Sequence, residues 1–235
     1  AIVAETLLDQ REGIYRRWEW MACEAVKNGQ VTVYGENYPS QTVGFGRRAA
    51  NTKVLTGPAL WSAPTTATPL TDIKAWATEM LRVSGRKLTR VTLTATTTPS
   101  AAEAFFATDQ VSKALETRRG SLTRLEGFNV AGDYVTVHGV LEGGVELVTY
   151  NDIYEDNDGI EQPFVEDGVV ILTGEVEGVR AFGAIMDDEA DWQPLSLFPK
   201  MWAQKDPSGI FVMTQSAPLM IPARPNASMK VTVLA

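Results

Sequence analysis

The stretch AIVAETLLDQREGIYRRWEWMACEAVKNG, residues 1–29, decides how the rest of the chain is read. Val3, Leu7, Ile14, Trp18, Met21 and Ala25 return at the spacing of one helical face, and Lys27-Asn28-Gly29 is a C-terminal stop. At 1.5 Å per residue this helix is roughly 40 Å long, more than a compact domain of this size needs. Gly13 in its middle costs about 1 kcal/mol relative to alanine, so packing at both ends must hold it. Next, Val31–Tyr34 and Gln41–Phe45 alternate with period two around Gly35-Glu36-Asn37, the pattern of a β-hairpin. An overlong helix feeding a hairpin is not the opening of an α/β enzyme.

Working outward, 235 residues with 44% apolar content are enough for one large domain or two small ones. The balance of 21 basic against 29 acidic residues, a net charge of −8, speaks against a protein whose task is to grip phosphate backbones. The longest uninterrupted apolar runs are short, such as Val169-Val170-Ile171-Leu172, so no segment reads as a membrane span. The single cysteine, Cys23, falls on the apolar side of the helical pattern and reads as a buried, inert thiol. The chain opens on Ala1 already inside a helical period, so residues upstream are expected and no targeting signal can be read.

The middle reads as a mixed layer. Thr71-Asp72 caps an expected helix with Ile73, Trp76, Ala77, Met80 and Leu81 on one face and Gly85 at its end. Leu88, Val91, Leu93 and Ala95 form a threonine-rich strand. Ser100-Ala101-Ala102-Glu103 is a capping box that opens a second helix with Phe105, Phe106, Val111 and Leu115 inward. From Val130 to Ile185, short apolar runs broken by glycine pairs and acidic turns read as strands and loops, namely 134–137, 145–150, 164–172 and 179–185. Near the end, Ile210–Met213 and Met229–Val233 read as strands on either side of TQSAPLMIPARPNA, residues 214–227. Pro218, Pro222 and Pro225 make that segment a stiff strap unfit for a central sheet position. The strap is expected to bury Leu219, Met220 and Ile221 at least partly, to leave Arg224 exposed or at a subunit contact, and to return the last strand to the sheet beside the opening helix.

Chemistry is sparse. The one histidine, His138, lies on a strand face with no partner that spacing can name. One histidine and one cysteine exclude the usual zinc sets. In Asp152-Ile153-Tyr154-Glu155-Asp156-Asn157-Asp158-Gly159, placing Gly159 at the glycine position of a calcium loop puts Tyr154 and Val165 where the essential carboxylates belong. That run reads as a solvated acidic turn. Asp187-Asp188-Glu189-Ala190-Asp191 could hold magnesium but equally reads as an exposed loop. Gly44-Phe45-Gly46-Arg47-Arg48-Ala49 resembles a dinucleotide fingerprint, yet no amphipathic helix follows before Gly57-Pro58. Neither a glycine-rich phosphate loop ending in Lys-Ser/Thr nor a Gly-x-Ser-x-Gly elbow occurs. No catalytic, cofactor-binding or metal-binding residue is assigned, and no cofactor is implied.

Shape and contact are what the residues emphasise. Six tryptophans, Trp18, Trp20, Trp61, Trp76, Trp192 and Trp202, suit a core or a permanent interface alike. Trp18 and Trp20 stand on different sides of one helix, so both sides need something to pack on.

Several stretches resemble the major capsid protein E family of tailed phages. They are Glu12-Gly13-Ile14 through Arg17-Trp18-Glu19-Trp20-Met21 to Gly29-Gln30-Val31, Val43–Arg47, Trp61-Ser62, Pro69–Ile73 and Val179–Ile185. The most specific is the end, Trp202-Ala203-Gln204-Lys205-Asp206-Pro207 followed by Gln215-Ser216-Ala217-Pro218-Leu219 and Pro225-Asn226-Ala227. The resemblance implies an α+β, HK97-like capsid fold, with a spine helix over residues 1–28 and a sheet over residues 30–46. It implies a peripheral domain over residues 1–60, an axial domain over 61–190 and a return to the peripheral domain over 191–235. It further implies a non-enzymatic subunit of a phage or prophage icosahedral head, located in the virion and, during assembly, in the host cytoplasm.

Its expected partners are copies of itself in hexameric and pentameric capsomers, with scaffold, portal and decoration proteins, but neither a membrane nor a specific nucleic-acid sequence. Such a shell encloses double-stranded DNA, and the acidic balance suits a wall past which DNA must slide. Members of the family carry an N-terminal arm and an extended loop before the spine helix, which are not seen here, so residues 1–235 alone are expected to stay monomeric or form small, weak oligomers. The rival readings are a metal-dependent hydrolase using Asp187, Asp188 and Asp191, a calcium-dependent binding module using Asp152–Asp158, and a cellular protein compartment of the same fold.

Overall fold

A computed structural model describes residues 2–35, 38–94, 100–116, 124–131, 134–156 and 159–234. In chain order the helices and strands are α1 (Ile2–Asn28), β1 (Gln30–Gly35), β2 (Tyr38–Gly44), β3 (Thr52–Val54), α2 (Pro69–Ser84), β4 (Arg90–Leu93), α3 (Ala101–Ala107), α4 (Asp109–Glu116) and β5 (Arg124–Ala131). They continue with β6 (Val135–Leu141), β7 (Val145–Tyr150), β8 (Ile153–Glu155), β9 (Glu161–Pro163), β10 (Val169–Thr173) and β11 (Gly178–Phe182). The last four are β12 (Phe198–Gln204), β13 (Gly209–Gln215), β14 (Pro218–Pro222) and β15 (Ser228–Thr232). The chain forms two compact units, Ala1–Ala22 with Gly178–Ile221 and Cys23–Glu177 with Pro222–Ala235. Residues 23–60 and 222–235 thus share a unit with the middle of the chain.

The larger unit is built on a mixed seven-stranded sheet of order β3-β15-β10-β4-β7-β6-β5. Its centre follows from hydrophobic pattern. In β10 four consecutive residues are buried, Val170 and Leu172 facing one way and Val169 and Ile171 the other, as a strand covered on both faces requires. In β15, Met229 and Val231 alternate with Lys230 and Thr232, which puts both apolar side chains in the main core beside Val233. Strand β15 runs antiparallel to β10 and parallel to β3.

The main core joins the sheet to α2, α3 and α4. Trp61, 1% exposed, lies 6.4 Å from the Trp76 ring and 5.5 Å from Phe105, and its backbone N–H donates to the Val233 carbonyl. The capping box forms as read: the Glu103 N–H donates to Ser100 Oγ at 3.1 Å, and the Ser100 N–H to Glu103 Oε2 at 3.3 Å. The helix expected after it is two helices, because Thr108 is extended and turns its hydroxyl onto the Phe105 carbonyl at 2.8 Å. Helix α2 starts at Pro69, not at Thr71-Asp72; proline is well placed at a first helical position, where its missing N–H costs nothing. Leu81, expected inward, is exposed, whereas Ile73, Trp76 and Met80 are buried. Ala95, the side chain of Leu115 and the turn residues Glu36 and Asn37 lie outside the description.

The opening hairpin is observed as β1 paired antiparallel with β2, a sheet of its own. The closing strand does not join it. β15 belongs to the large sheet, because Met229, Val231 and Val233, all 0% exposed, need that core to cover them.

In the smaller unit, β12 and β13 form one antiparallel ribbon and β11 with β14 another. Strand β14 is the proline strap, confined to a two-stranded sheet as its missing donors demand; Met220 is buried and Leu219 and Ile221 are partly so. Gln10 of α1 ties to β13, donating from Nε2 to the Val212 carbonyl at 2.9 Å and accepting from Thr214 Oγ1 at 2.9 Å. The Trp18 ring packs 5.3 Å from Phe182 and 4.9 Å from Tyr15. Strand β12, which carries Pro199 and Lys200, has no alternating pattern to announce it.

Candidate functional site

His138 sits on β6 as a core histidine. It is buried beside Phe106, 5.3 Å between rings, with Nε2 3.2 Å from Thr149 Oγ1 on β7. Burial lowers its pKa from the ordinary histidine value of 6.5. A base whose folded-state pKa is depressed stabilises the fold above its unfolded pKa, and that stability is lost as the pH falls through the folded value. Stability, read as melting temperature, is therefore expected to fall on acidification below pH 6.5, the stability itself by at most about 1.4 kcal/mol per pH unit. The His138→Gln variant should lack this slope between about pH 7 and pH 5. An identical slope in both proteins, measured by thermal melting, would assign the titration to another group.

The acidic runs are used internally. In the larger unit Asp152 is buried, its Oδ1 accepting from the Ile153 N–H at 2.9 Å. Asp156 accepts from the Ile160 N–H at 3.0 Å and from Gln162 Nε2 at 3.3 Å, closing the β8–β9 hairpin. Apart from buried Asp152, this run is an exposed or half-exposed turn, as read, and is pinned by these bonds, while Asn157 and Asp158 lie outside the description. In the smaller unit Asp187 caps a short turn through the Glu189 N–H, and Lys200 Nζ donates to both its oxygens at 3.1 and 3.0 Å. The Lys200 ammonium, then the Glu189 N–H, hold the Asp187 carboxyl below the ordinary aspartate range. Lys200 thus engages both oxygens of Asp187, one of the three carboxylates that the magnesium reading needs. Among the described residues no group of three or more His, Cys, Asp or Glu could hold a metal ion, and no helix is long and apolar enough to cross a membrane.

Two arrangements that sequence reasoning missed hold the end of α1 within the larger unit. Lys27, 5% exposed, bridges Glu166 at 3.1 Å and Glu24, and donates to the Phe164 carbonyl at 3.2 Å. Lys230 bridges the other Glu166 oxygen at 2.8 Å and donates to Asn28 Oδ1 at 3.3 Å. Burial works against the Lys27 ammonium, but Glu24 and Glu166 outweigh it and raise its pKa above 10.5. Arg47, from the stretch resembling a dinucleotide fingerprint, instead caps the helix: Nη1 donates to the Val26 and Lys27 carbonyls at 3.0 and 2.7 Å. Only a three-residue turn, Ala49–Asn51, follows it. A Cβ on Gly29, whose φ is +67°, would lie 2.6 Å from that of Arg47, so this junction requires glycine. Cys23 is half-buried rather than buried, and Arg224 is partly covered, paired with Glu177 at 2.7 Å.

The tryptophans divide. Trp61 and Trp76 are core, Trp18 and Trp20 are half-buried, and Trp192 and Trp202 are exposed in the smaller unit. Asp191 and Trp192 are consecutive non-glycine residues at φ of +49° and +55°, a conformation that costs about 1–3 kcal/mol each. On β12–β13 the rings of Trp202 and Phe211 stack 5.4 Å apart at 11° and remain open to solvent.

The profile of the phage major capsid protein E family matches residues 1–233, and the chain belongs to that family. It is 33% identical to the major capsid protein of Escherichia phage N15 over 233 residues, covering 96% of this chain and 65% of that protein. It is 31% identical to the major capsid protein of Escherichia phage lambda, over the same shares of each. The crystal structure of a capsid protein from a prophage of E. coli CFT073 superposes with a TM-score of 0.81, at 24% identity, covering 99% of this chain and 67% of that one. The fold is the α+β, HK97-like fold of tailed-phage major capsid proteins. The chain spans about two thirds of the length of these relatives.

Proposed function

We propose that this chain is a structural, non-enzymatic subunit of a phage or prophage icosahedral head. Copies assemble into hexameric and pentameric capsomers and a shell around double-stranded DNA. The observation that carries the reading is a family match running along the chain from residue 1 to residue 233. The unit of Ala1–Ala22 and Gly178–Ile221 serves as the peripheral domain, and the seven-stranded-sheet unit, which holds most of residues 61–190, supplies the axial domain. The net charge of −8 supports a wall that does not bind its contents, since each basic contact to phosphate would strengthen a salt-dependent grip. Scaffold, portal and decoration proteins are its further partners. Its place is the virion capsid, reached by assembly in the host cytoplasm. The pinning of Asp187 by Lys200 and of Asp156 by the β8–β9 turn leaves the hydrolase and calcium-module readings without support.

The test is to express the chain together with its neighbouring genes, purify the particles and examine them by electron microscopy and peptide mass fingerprinting. Closed heads with nuclease-protected DNA and this chain as the dominant protein are expected. Heads lacking its peptides would overturn the reading. Shells filled with an enzyme and free of DNA would replace it with a cellular compartment.

A further inference from the structure

The β12–β13 ribbon presents apolar side chains on both of its faces. Its register sets Trp202 opposite Phe211 on one face, and Met201 opposite Val212 and Ala203 opposite Ile210 on the other. Met201 is 60% and Ile210 64% exposed, and the stacked Trp202 and Phe211 stay about half open. A two-stranded ribbon alone is marginal in water, and packing on one face would leave the other wet.

Charge narrows what can cover it. Between Met201 and Thr214 only Lys205 and Asp206 ionise, adjacent and opposite in sign. At the base of the ribbon Lys200 is already paired with Asp187. The ribbon is therefore a neutral apolar strip on a chain of net charge −8. Two copies of a chain with net charge −8 repel on approach, and an uncharged strip adds nothing to that repulsion. A nucleic acid or a strongly charged protein finds no field here to steer it.

We infer that the β12–β13 ribbon is a contact through which copies of this chain associate, inserted between neighbours so that both faces are covered. The inference rests on the shell-subunit reading and names a surface that serves it. The roughly 400 Å² exposed by its four large apolar side chains is about half of the ~800 Å² each partner contributes to a stable interface. The ribbon is accordingly the apolar centre of a larger contact. Insertion of one copy's ribbon into different surfaces of its neighbours is a heterologous arrangement, which builds rings or extended arrays rather than closed pairs.

Three variants of the full chain test this: Trp202→Ser with Phe211→Ser, Met201→Lys with Ile210→Lys, and all four changes together. Sedimentation velocity up to high micromolar concentration, with electron microscopy of the same samples, reads the outcome. The unsubstituted chain should form species larger than dimers, each two-residue variant should associate about tenfold more weakly or worse, and the fourfold variant should be monomeric. The Met201/Ile210 variant should melt with the parent, and the two variants that lose the Trp202–Phe211 stack slightly below it. The Met201/Ile210 variant leaves the aromatic stack in place, so its loss of association cannot be blamed on an unravelled ribbon. If the variants build the same species at the same concentrations, the inference falls and the shell reading stands. If the unsubstituted chain forms nothing larger than a monomer, the inference falls and the shell reading stands, because residues 1–235 span about two thirds of the relatives' length. Exclusive dimers would overturn insertion between neighbours, and loss of binding to a different co-expressed protein alone would overturn self-association.

Discussion

Deleting residues 218–235 is expected to leave a chain that does not fold. The deletion removes β15, which lies between β3 and β10 in the seven-stranded sheet and pairs with β10 along five residues, Ser228 to Thr232. With it go Met229, Val231 and Val233, each 0% exposed. Burying one such side chain contributes about 1.5–3 kcal/mol, and the loss also orphans the backbone donors and acceptors of two neighbouring strands. The sum rivals the whole stability of a domain, about 5–15 kcal/mol. Circular dichroism and solubility after expression measure the result. A shortened protein that stays soluble with an unchanged melting temperature would show that the large sheet closes without its second strand.

Trp61→Ala should destabilise the larger unit by about 3–5 kcal/mol, the range for emptying a large aromatic site in a packed core. Its ring packs between Trp76 of α2 and Phe105 of α3, so the change empties a site shared by both helices. Trp202→Ala, the same chemical change on the exposed ribbon, should cost no more than about 1 kcal/mol, the lost cross-strand pair with Phe211. Chemical denaturation of the two variants beside the parent separates them. Equal losses would mean that the ribbon is part of a core.

These two tryptophans show how legible the chain was. Their number and their choice between core and contact could be posed from sequence, but the assignment could not be made, because burial depends on what the rest of the chain brings to the same place. Local signals were readable where the physics is local. The Ser100–Glu103 capping box, the stop at Gly85, the β1–β2 hairpin and the proline strap each follow from backbone geometry within a few residues. Signals failed where a neighbour distant in sequence intervenes. Strand β12 holds Pro199 and Lys200 against the pattern, because β13 supplies its ladder and Asp187 receives the lysine. A turn signal was present in Lys205-Asp206-Pro207-Ser208-Gly209 between Trp202 and Phe211, and weighing it would have exposed the ribbon.

The amino-acid sequence by itself determined the overlong opening helix, the caps and turns, the acidic character and, through its terminal motifs, the capsid family. Those properties live in spacing, charge and backbone preference, which are written one residue at a time. Only the tertiary structure decided that the last strand enters the seven-stranded sheet, and that Arg47 closes α1 instead of holding a phosphate. It also decided that Lys27 and Lys230 converge on Glu166 and that one pair of aromatic residues is left facing water. The first three depend on groups 20 or more residues apart meeting within a few ångströms, and the exposure of the aromatic pair on no distant element arriving to cover it; side-chain spacing along a strand or helix carries no information about which distant partner will arrive.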